Sequence, residues 1–159
     1  MYAILRTKRI KNYDTLSKAF SHNLRLKDEM CANVDRSRSQ QNQVLLNLED
    51  DTTAWRARYD NLKVQARANS VLALEIVLTA SPEFFEGISK QKLDQWVDAQ
   101  LEFLRAEHGS RLRHVVLHLD EKTPHIQALI SVEETKKISF KNRYGSGEKL
   151  ATTLNAKRF

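Results

Sequence analysis

The 159-residue sequence predicts an α/β sandwich with an antiparallel hairpin near its end, and three observations carry that prediction. Strand-like apolar segments alternate with segments whose apolar residues recur at helical spacing, in the order β-α-β-α-β-α-β-β. Two strand-like segments, 111–120 and 124–132, follow one another across a short polar connection. Gly and Pro are scarce, four and two residues, where average usage would give about eleven and eight. That scarcity argues against a linker, a collagen-like repeat or a turn-rich sandwich of many short strands.

Residues 2–10 form the first predicted strand, with Tyr2, Ile4 and Ile10 toward one side. Asp14 or Thr15 caps a helix running to about Lys27, whose apolar face is Leu16, Ala19 and Phe20. Residues 33–48 pass from a polar loop into a strand at 43–48. Asp51, Thr52 or Thr53 caps a second helix with Trp55, Tyr59, Leu62 and Ala66 at helical spacing. The β-branched, leucine-rich run from Val71 to Thr79 is the central strand. A third helix covers about 89–107, with Leu93, Trp96, Val97, Leu101 and Leu104 as its core stripe and Gly109 as its stop. After the two hairpin strands, 135–147 is expected to be a basic loop with one short strand, and 148–159 a helix. No internal repeat or low-complexity stretch is present.

Hydrophobic residues make up 41% of the chain and charged residues 29%, the balance of a soluble globule. Even the richest apolar run, Val71 to Ala80, is interrupted by Glu75 and falls short of the roughly 18 residues of a membrane span. The first residues lack a signal-peptide pattern, and the single Cys31 allows no internal disulfide; both fit a reducing, cytoplasmic setting. The net charge of +6 is uneven: 13 Lys/Arg against 8 Asp/Glu in 1–70, 3 against 7 in 71–110, and 10 against 5 in 111–159. Two basic blocks brought together by folding would attract phosphates through counterion release, although chance clustering on a solvated surface explains the charge equally well.

The informative stretch is His118-Leu119-Asp120-Glu121-Lys122-Thr123-Pro124-His125-Ile126-Gln127. Strand alternation puts His114, Val116, His118 and Asp120 on one face and Val115, Leu117 and Leu119 on the other. In the second strand, His125, Gln127 and Leu129 share a face. A register that pairs His118 with Gln127 brings His118, His125 and Gln127 to one side, within reach of one ion; the opposite parity splits them. Two imidazoles and one amide oxygen suit Mn²⁺ or Mg²⁺ with open positions better than a tight structural zinc. Asp120 or Glu121 at the hairpin end orients a ligand or acts as a base. Near the N-terminus, Lys18, His22 and Arg25 share a helix face suited to a phosphate, a pattern that a plain solvated face also produces. Cations beside His22 favour its neutral, nucleophilic form.

Three blocks resemble the N-terminal domain of the Mob/Pre (MobV) plasmid mobilisation relaxases, within the wider His-hydrophobic-His endonucleases. His22-Asn23-Leu24-Arg25 resembles the family's His-x-x-Arg. The segment Asn33 to Asn42 resembles its Asn-x-Asp…Arg…Asn block, and His118 to Gln127 resembles His-x-Asp-Glu-x-Thr-Pro-His-x-His. Lys137-Ile138-Ser139-Phe140-Lys141 resembles the Leu-Ser-x-Lys that follows. The one departure is Gln127, where the family pattern has its last histidine.

The resemblance implies a central antiparallel sheet flanked by helices, with a divalent metal, Mn²⁺ or Mg²⁺, held on the sheet by His118, His125 and Gln127. It implies strand-specific nicking and rejoining of single-stranded or hairpin DNA at a plasmid origin of transfer. His22 would be the nucleophile and carry the 5′-phosphate, Glu121 would accept its proton or hold its ring, and Arg25 would clamp a phosphate oxygen. Arg36, Arg38 and Asn42 would hold DNA or tie their loop to the sheet, and Lys136, Lys137, Lys141 and Arg143 would contact DNA. Gln127 in place of histidine is expected to lower metal affinity. Tyr2, Tyr13, Tyr59 and Tyr144 are rival nucleophiles, with Tyr13 next after His22. His108 and His114 are assigned structural or exposed positions, and Cys31 no role. Two other readings keep the same residues: an origin-binding module or autorepressor without turnover, and a rolling-circle replication initiator. Residues 1–159 are expected to be one relaxase domain cut from a longer protein, because family relatives are longer; a dimerising or coupling region would lie outside it.

Overall fold

A computed structural model of the chain describes residues 1–27 and 32–157. Cys31 and the terminal pair Arg158 and Phe159 lie outside the described residues. Five strands, β1 (Ala3–Ile10), β2 (Gln43–Asn47), β3 (Ala73–Ala80), β4 (Leu112–His118) and β5 (His125–Ser131), form one sheet in the order β1-β3-β5-β4-β2. Every neighbouring pair is antiparallel. The helices are α1 (Tyr13–Asn23), α2 (Thr52–Asn61), α3 (Pro82–Phe85) and α4 (Lys90–His108). The last strands, β6 (Glu133–Asn142) and β7 (Gly145–Leu154), form a separate two-stranded ribbon, which Gln65 joins through an isolated bridge to Thr153.

Strand alternation divides the core into two layers. Leu74, Ile76 and Leu78 of β3, Val115 and Leu117 of β4, and Ile126, Ala128 and Ile130 of β5 pack against Val97 and Leu104 of α4. On the opposite face, Ala73 and Leu129 meet Leu16, Ala19 and Phe20 of α1 and Trp55 and Tyr59 of α2. The sheet is thus covered on both sides, with α1 and α2 on the face that carries His114, His118 and His125. Among the described residues, no helix is long and apolar enough to cross a membrane.

Several expected boundaries move. The cap of α1 is Asn12, whose Oδ1 accepts from Thr15 N at 2.8 Å, not Asp14 or Thr15. That helix ends at Asn23, four residues before Lys27. The cap of α2 is Asp51, and its last residue is Asn61, so Leu62 and Ala66 fall beyond its buried stripe. Residues Arg36–Gln41, expected as loop, form a 3₁₀ turn capped by Asp35. The largest correction is at the end. In place of the expected basic loop with one short strand over 135–147 and the helix from 148, residues 133–154 form the ribbon β6–β7, paired from Glu133↔Leu154 to Asn142↔Gly145. Adjacent β-branched Thr152 and Thr153 favour extended backbone, and Gly145 takes the turn with φ +141°. Gly147 lets the Phe140 ring lie flat on the ribbon, because a Cβ there would sit 3.3 Å from it.

His114 is fully buried on the α1 face, its ring edge-to-face with Phe20. Its Nδ1–H donates to Asn47 Oδ1 at 2.8 Å, while Nε2 has no hydrogen-bond partner. Burial pushes its pKa down to about 4, against about 6.5 in an unfolded chain. The folded state therefore binds fewer protons than the unfolded one between these values. Stability from this site is complete above about pH 6.5 and declines as the pH falls toward 4, by about 3 kcal/mol in total. Urea unfolding across pH 4–7 is expected to show His114→Phe losing about one proton's worth of that slope; a slope unchanged from the parent chain would show that His114 is not the titrating group.

Candidate active site

The C-terminal end of α1 makes the site's first half. Leu26 N donates to Ser21 O at 3.0 Å and Arg25 N to His22 O at 3.3 Å, the paired bonds of a Schellman close. The left-handed position in that motif usually belongs to glycine, yet here it is Arg25, with φ +53°. The expected stripe of Lys18, His22 and Arg25 on one helix therefore does not form. Arg25 stands past the helix end, and its backbone turn sends the side chain toward the β4–β5 connection.

There its guanidinium is occupied by carboxylates. Arg25 Nε and Nη2 donate to Asp120 Oδ2 and Oδ1 at 3.0 and 2.7 Å, and Nη2 also donates to Glu121 Oε1 at 2.9 Å. Nη1 donates to the His22 carbonyl at 2.7 Å and lies 3.2 Å from His22 Nε2. Asp120 is fully buried and also accepts from Ser39 Oγ at 2.7 Å. Burial alone would raise its pKa, but the hydrogen bonds from Arg25 and Ser39 and the Arg25 charge outweigh burial and hold the carboxyl well below its ordinary range. Asp35 N donates to the Asp120 carbonyl, and Leu119 N to Asn42 Oδ1, both at 2.7 Å. Arg38 donates to the Glu121 carbonyl at 3.2 Å and pairs with Asp35 at 3.0 Å. Of the two roles expected for the Arg36, Arg38 and Asn42 block, Arg38 and Asn42 make the contacts of the second, tying the loop to the hairpin. Arg36 donates to the Lys27 carbonyl at 2.6 Å.

The second half is the pair of imidazoles. The register pairs His118 with His125 and Val116 with Gln127, two residues away from the expected pairing of His118 with Gln127. A shift of two preserves parity, so the three side chains still share a face. His118 Nε2–H donates to the Asn23 carbonyl at 3.1 Å, and His125 Nδ1–H donates to the Thr123 carbonyl at 3.0 Å. A carbonyl only accepts, so both tautomers follow. The remaining nitrogens, His118 Nδ1 and His125 Nε2, face each other at 3.1 Å. Burial pushes His118 down to about 3, so its ring is neutral at pH 7. The His118 Nδ1 lone pair therefore points at His125 Nε2, the two nitrogens lie close enough to share one cation, and each ring is held from behind by a backbone carbonyl as metal-bound histidines are. The donor set therefore fits a metal.

His22 and Glu121 close the cluster. Glu121 Oε1 lies 3.7 Å from His22 Nε2 and 3.8 Å from His125 Nε2. Donor atoms of His22, His118 and Glu121 all lie within 4.8 Å of one another. The pKa of His22 is lowered, by burial first and by the Arg25 charge second, with Glu121 and Glu75 opposing. Gln127 is buried, and its Nε2 donates to Glu75 Oε1 on β3 at 2.7 Å. Glu75, Ser39 and the Asn23 carbonyl were not among the expected site residues. Only Glu75 left a trace in the sequence, as the lone charge within an apolar strand.

Two grooves meet at this cluster. One, of about 370 Å³, runs along α1 and is lined by Lys18, His22, Arg25, Lys27 and Arg36. The other lies across the β1–β3 side and includes Arg6, Thr79, Glu121, Lys122 and His125. Lys136, Lys137, Lys141 and Arg143 lie away from the cluster on the ribbon, where Tyr144 is 81% exposed and stacks under Arg143. Two of the rival tyrosines, Tyr59 and Tyr13, are poorly placed. Tyr59 is buried, its hydroxyl donates to the Leu72 carbonyl, and burial raises its pKa. Tyr13 is covered by the Arg56 guanidinium at 3.6 Å, and nine helical residues put it about 13 Å along α1 from His22.

Known proteins resemble this chain in both sequence and fold. A plasmid recombination enzyme of Bacillus thuringiensis is 30% identical over 129 residues, covering 77% of this chain and 29% of that protein. One from Lactiplantibacillus plantarum is 28% identical over 115 residues, covering 68% of this chain and 32% of that protein. The chain thus spans about a third of the length of the curated relatives it matches. Among solved structures, the MobM relaxase domain bound to plasmid pMV158 oriT DNA, with manganese and at pH 6.8, superimposes with a TM-score of 0.72 at 24% identity, over 82% of this chain and 70% of that one. A second Mn-bound complex of the same domain, with a 23-nucleotide oriT DNA, gives 0.69 at 25% identity. The model of the Mob_Pre family, described as plasmid recombination enzyme, matches residues 1–157, and the chain belongs to that family.

Proposed function

We propose that this chain is the relaxase domain of a plasmid mobilisation protein, nicking and rejoining one DNA strand at an origin of transfer through a covalent bond between His22 and a 5′-phosphate. The observation that carries this reading is the convergence of a neutral-leaning His22, Glu121 and the facing ring nitrogens of His118 and His125 where two cation-lined grooves meet. Family membership and the oriT DNA bound in the MobM structures support a DNA partner and a nicking reaction.

In this reading DNA runs along the two grooves with the scissile phosphate at their junction. The His22 lone pair attacks phosphorus in line; a P–N bond forms, the P–O3′ bond breaks, and the departing 3′-oxygen takes a proton from water to become the hydroxyl. Glu121 takes the ring proton that His22 gives up. Arg25, committed to Asp120 and Glu121, positions both that carboxylate and His22 and does not clamp phosphate itself. His118, His125 and Gln127 are the residues that would hold a divalent ion, as the manganese in the MobM structures suggests, and such an ion supplies Lewis-acid polarisation of a phosphate oxygen. The reverse reaction on the phosphoramidate reseals a strand, since the phosphodiester energy is retained in the P–N bond. The ribbon lysines and arginine bind phosphates outside the site.

A denaturing gel with origin oligonucleotides tests the chemistry. The parent chain is expected to give a slow-migrating adduct with Mn²⁺ or Mg²⁺ and none with EDTA. His22→Ala is expected to reduce adduct formation at least about a thousandfold while specific binding persists. An adduct that survives in His22→Ala would move the nucleophile to a tyrosine, and tight binding with no adduct from the parent chain would leave an origin-binding module. Charge reversal of Lys136, Lys137, Lys141 and Arg143 is expected to weaken binding and to lower the slope of log affinity against log salt by about one for each phosphate no longer neutralised. An unchanged slope in fluorescence anisotropy titrations would remove the ribbon from the interface.

A further inference from the structure

We propose that Glu75 is a positioning residue that makes Gln127 an oxygen ligand, by holding the amide's NH₂ arm so that its carbonyl arm is the one presented to the His118–His125 pair. This inference rests on the metal reading above and adds to it a role for a residue on the neighbouring strand.

An amide poses a problem that an imidazole does not. Its two arms are similar in size and opposite in chemistry: the oxygen carries lone pairs, and the nitrogen carries two protons and ligates nothing. An unconstrained Gln127 facing the His118 Nδ1 lone pair would turn its NH₂ toward it as a donor, and the site would be closed to a cation. Glu75 prevents this from the side. It sits on β3, where Val77 pairs with Gln127 and Glu75 with Leu129, so Glu75 and Gln127 are diagonal neighbours on one face. Glu75 Oε1 accepts from Gln127 Nε2 at 2.7 Å. An ionised carboxylate accepts only, so it cannot satisfy the carbonyl arm and selects the NH₂.

The placement is otherwise hard to explain. Glu75 interrupts the longest apolar run of the chain, and its side chain is only 12% exposed. Its cationic neighbour on β1, Lys8, stands 4.0 Å from Oε2 and is 64% exposed, too solvated to justify burying a carboxylate. The hydrogen bond to Gln127 gives that charge a purpose. Partners of metal ligands commonly change metal affinity by about 10- to 100-fold when removed.

The test is a double-mutant cycle read by Mn(II) binding, using the electron paramagnetic resonance signal of the free ion and no DNA. The chain, Glu75→Ala, Gln127→Ala and the double variant are compared, with Glu75→Met replacing Glu75→Ala if the smaller side chain prevents folding. Glu75→Ala is expected to weaken Mn(II) binding about tenfold or more in the parent chain and to change it little in the Gln127→Ala background. An equal loss in both backgrounds would show that Glu75 acts only as a nearby negative charge, and no loss in either would show that it does not act on the site; both overturn the proposal. If the parent chain binds no Mn(II), the metal reading itself fails and takes this inference with it, whereas Mn(II) binding without coupling sinks the inference alone.

Discussion

The bidentate contact between Arg25 and Asp120 is the interaction on which the site depends. Forcing a side-chain-bearing residue into the left-handed region costs roughly 1–2 kcal/mol. Removing one partner of a buried ion pair costs about 3–5 kcal/mol, so the contact outweighs the backbone strain. What the strained turn achieves is geometric. It ends α1 one residue after His22 and delivers the Asn23 carbonyl to His118 Nε2, which fixes that ring's tautomer. From the other side, Asp120 gathers the 33–42 segment through Ser39 Oγ and its own carbonyl. Helix end, 3₁₀ turn and hairpin thus meet on one buried carboxylate.

That arrangement changes what each charged residue can do. A guanidinium facing solvent near a catalytic histidine is a natural phosphate clamp, but one already bonded to two carboxylates and a carbonyl has few donors to spare. Arg25 instead lowers the proton affinity of His22 and anchors Glu121, two effects with one cause. The lone pairs of His118 and His125 are set up by backbone alone, through Asn23 and Thr123, so the pair is preorganised by elements that are themselves held by the sheet and the Asp120 junction. Glu75 and Gln127 extend the same logic across a third strand.

Much of this was legible from local patterns. Alternation in 111–120 correctly separated His114 and His118 from Val115 and Leu117, since a buried sheet imposes a period of two whatever the turn. The register itself was not legible. It depends on how six residues from Leu119 to Pro124 close the hairpin, and that closure uses Asp35, Asn42 and Thr79, all distant in sequence. The pairing slipped by two residues and kept its parity, so the shared face survived an incorrect register. The end of α1 failed for a related reason: arginine carries no signal for a left-handed stop, and only the distant carboxylates explain it. In the ribbon, Leu150, Ala151 and Leu154 happen to match helical spacing, and the pairing partner that overrides it lies up to 21 residues upstream.

The charge count of the finished site ties these pieces together. Beside the imidazoles stand three carboxylates, Glu75, Asp120 and Glu121, and the buried cation Arg25. A net charge near −2 in a partly dry pocket repels a phosphodiester, even though the chain as a whole is basic and the groove along α1 is lined by lysines and arginines. On the proposed reading a divalent ion at His118, His125 and Gln127 brings that local charge near zero. Ion and scissile phosphate then favour each other's binding by the same factor, because linkage is reciprocal. Contacts in the outer grooves and on the ribbon lie beyond this balance and attract the strand whether or not the ion is bound. On that reading the fold separates holding DNA from accepting a phosphate at His22: the first would follow from surface lysines and arginines, and the second from three carboxylates that make the pocket inhospitable to an anion on its own.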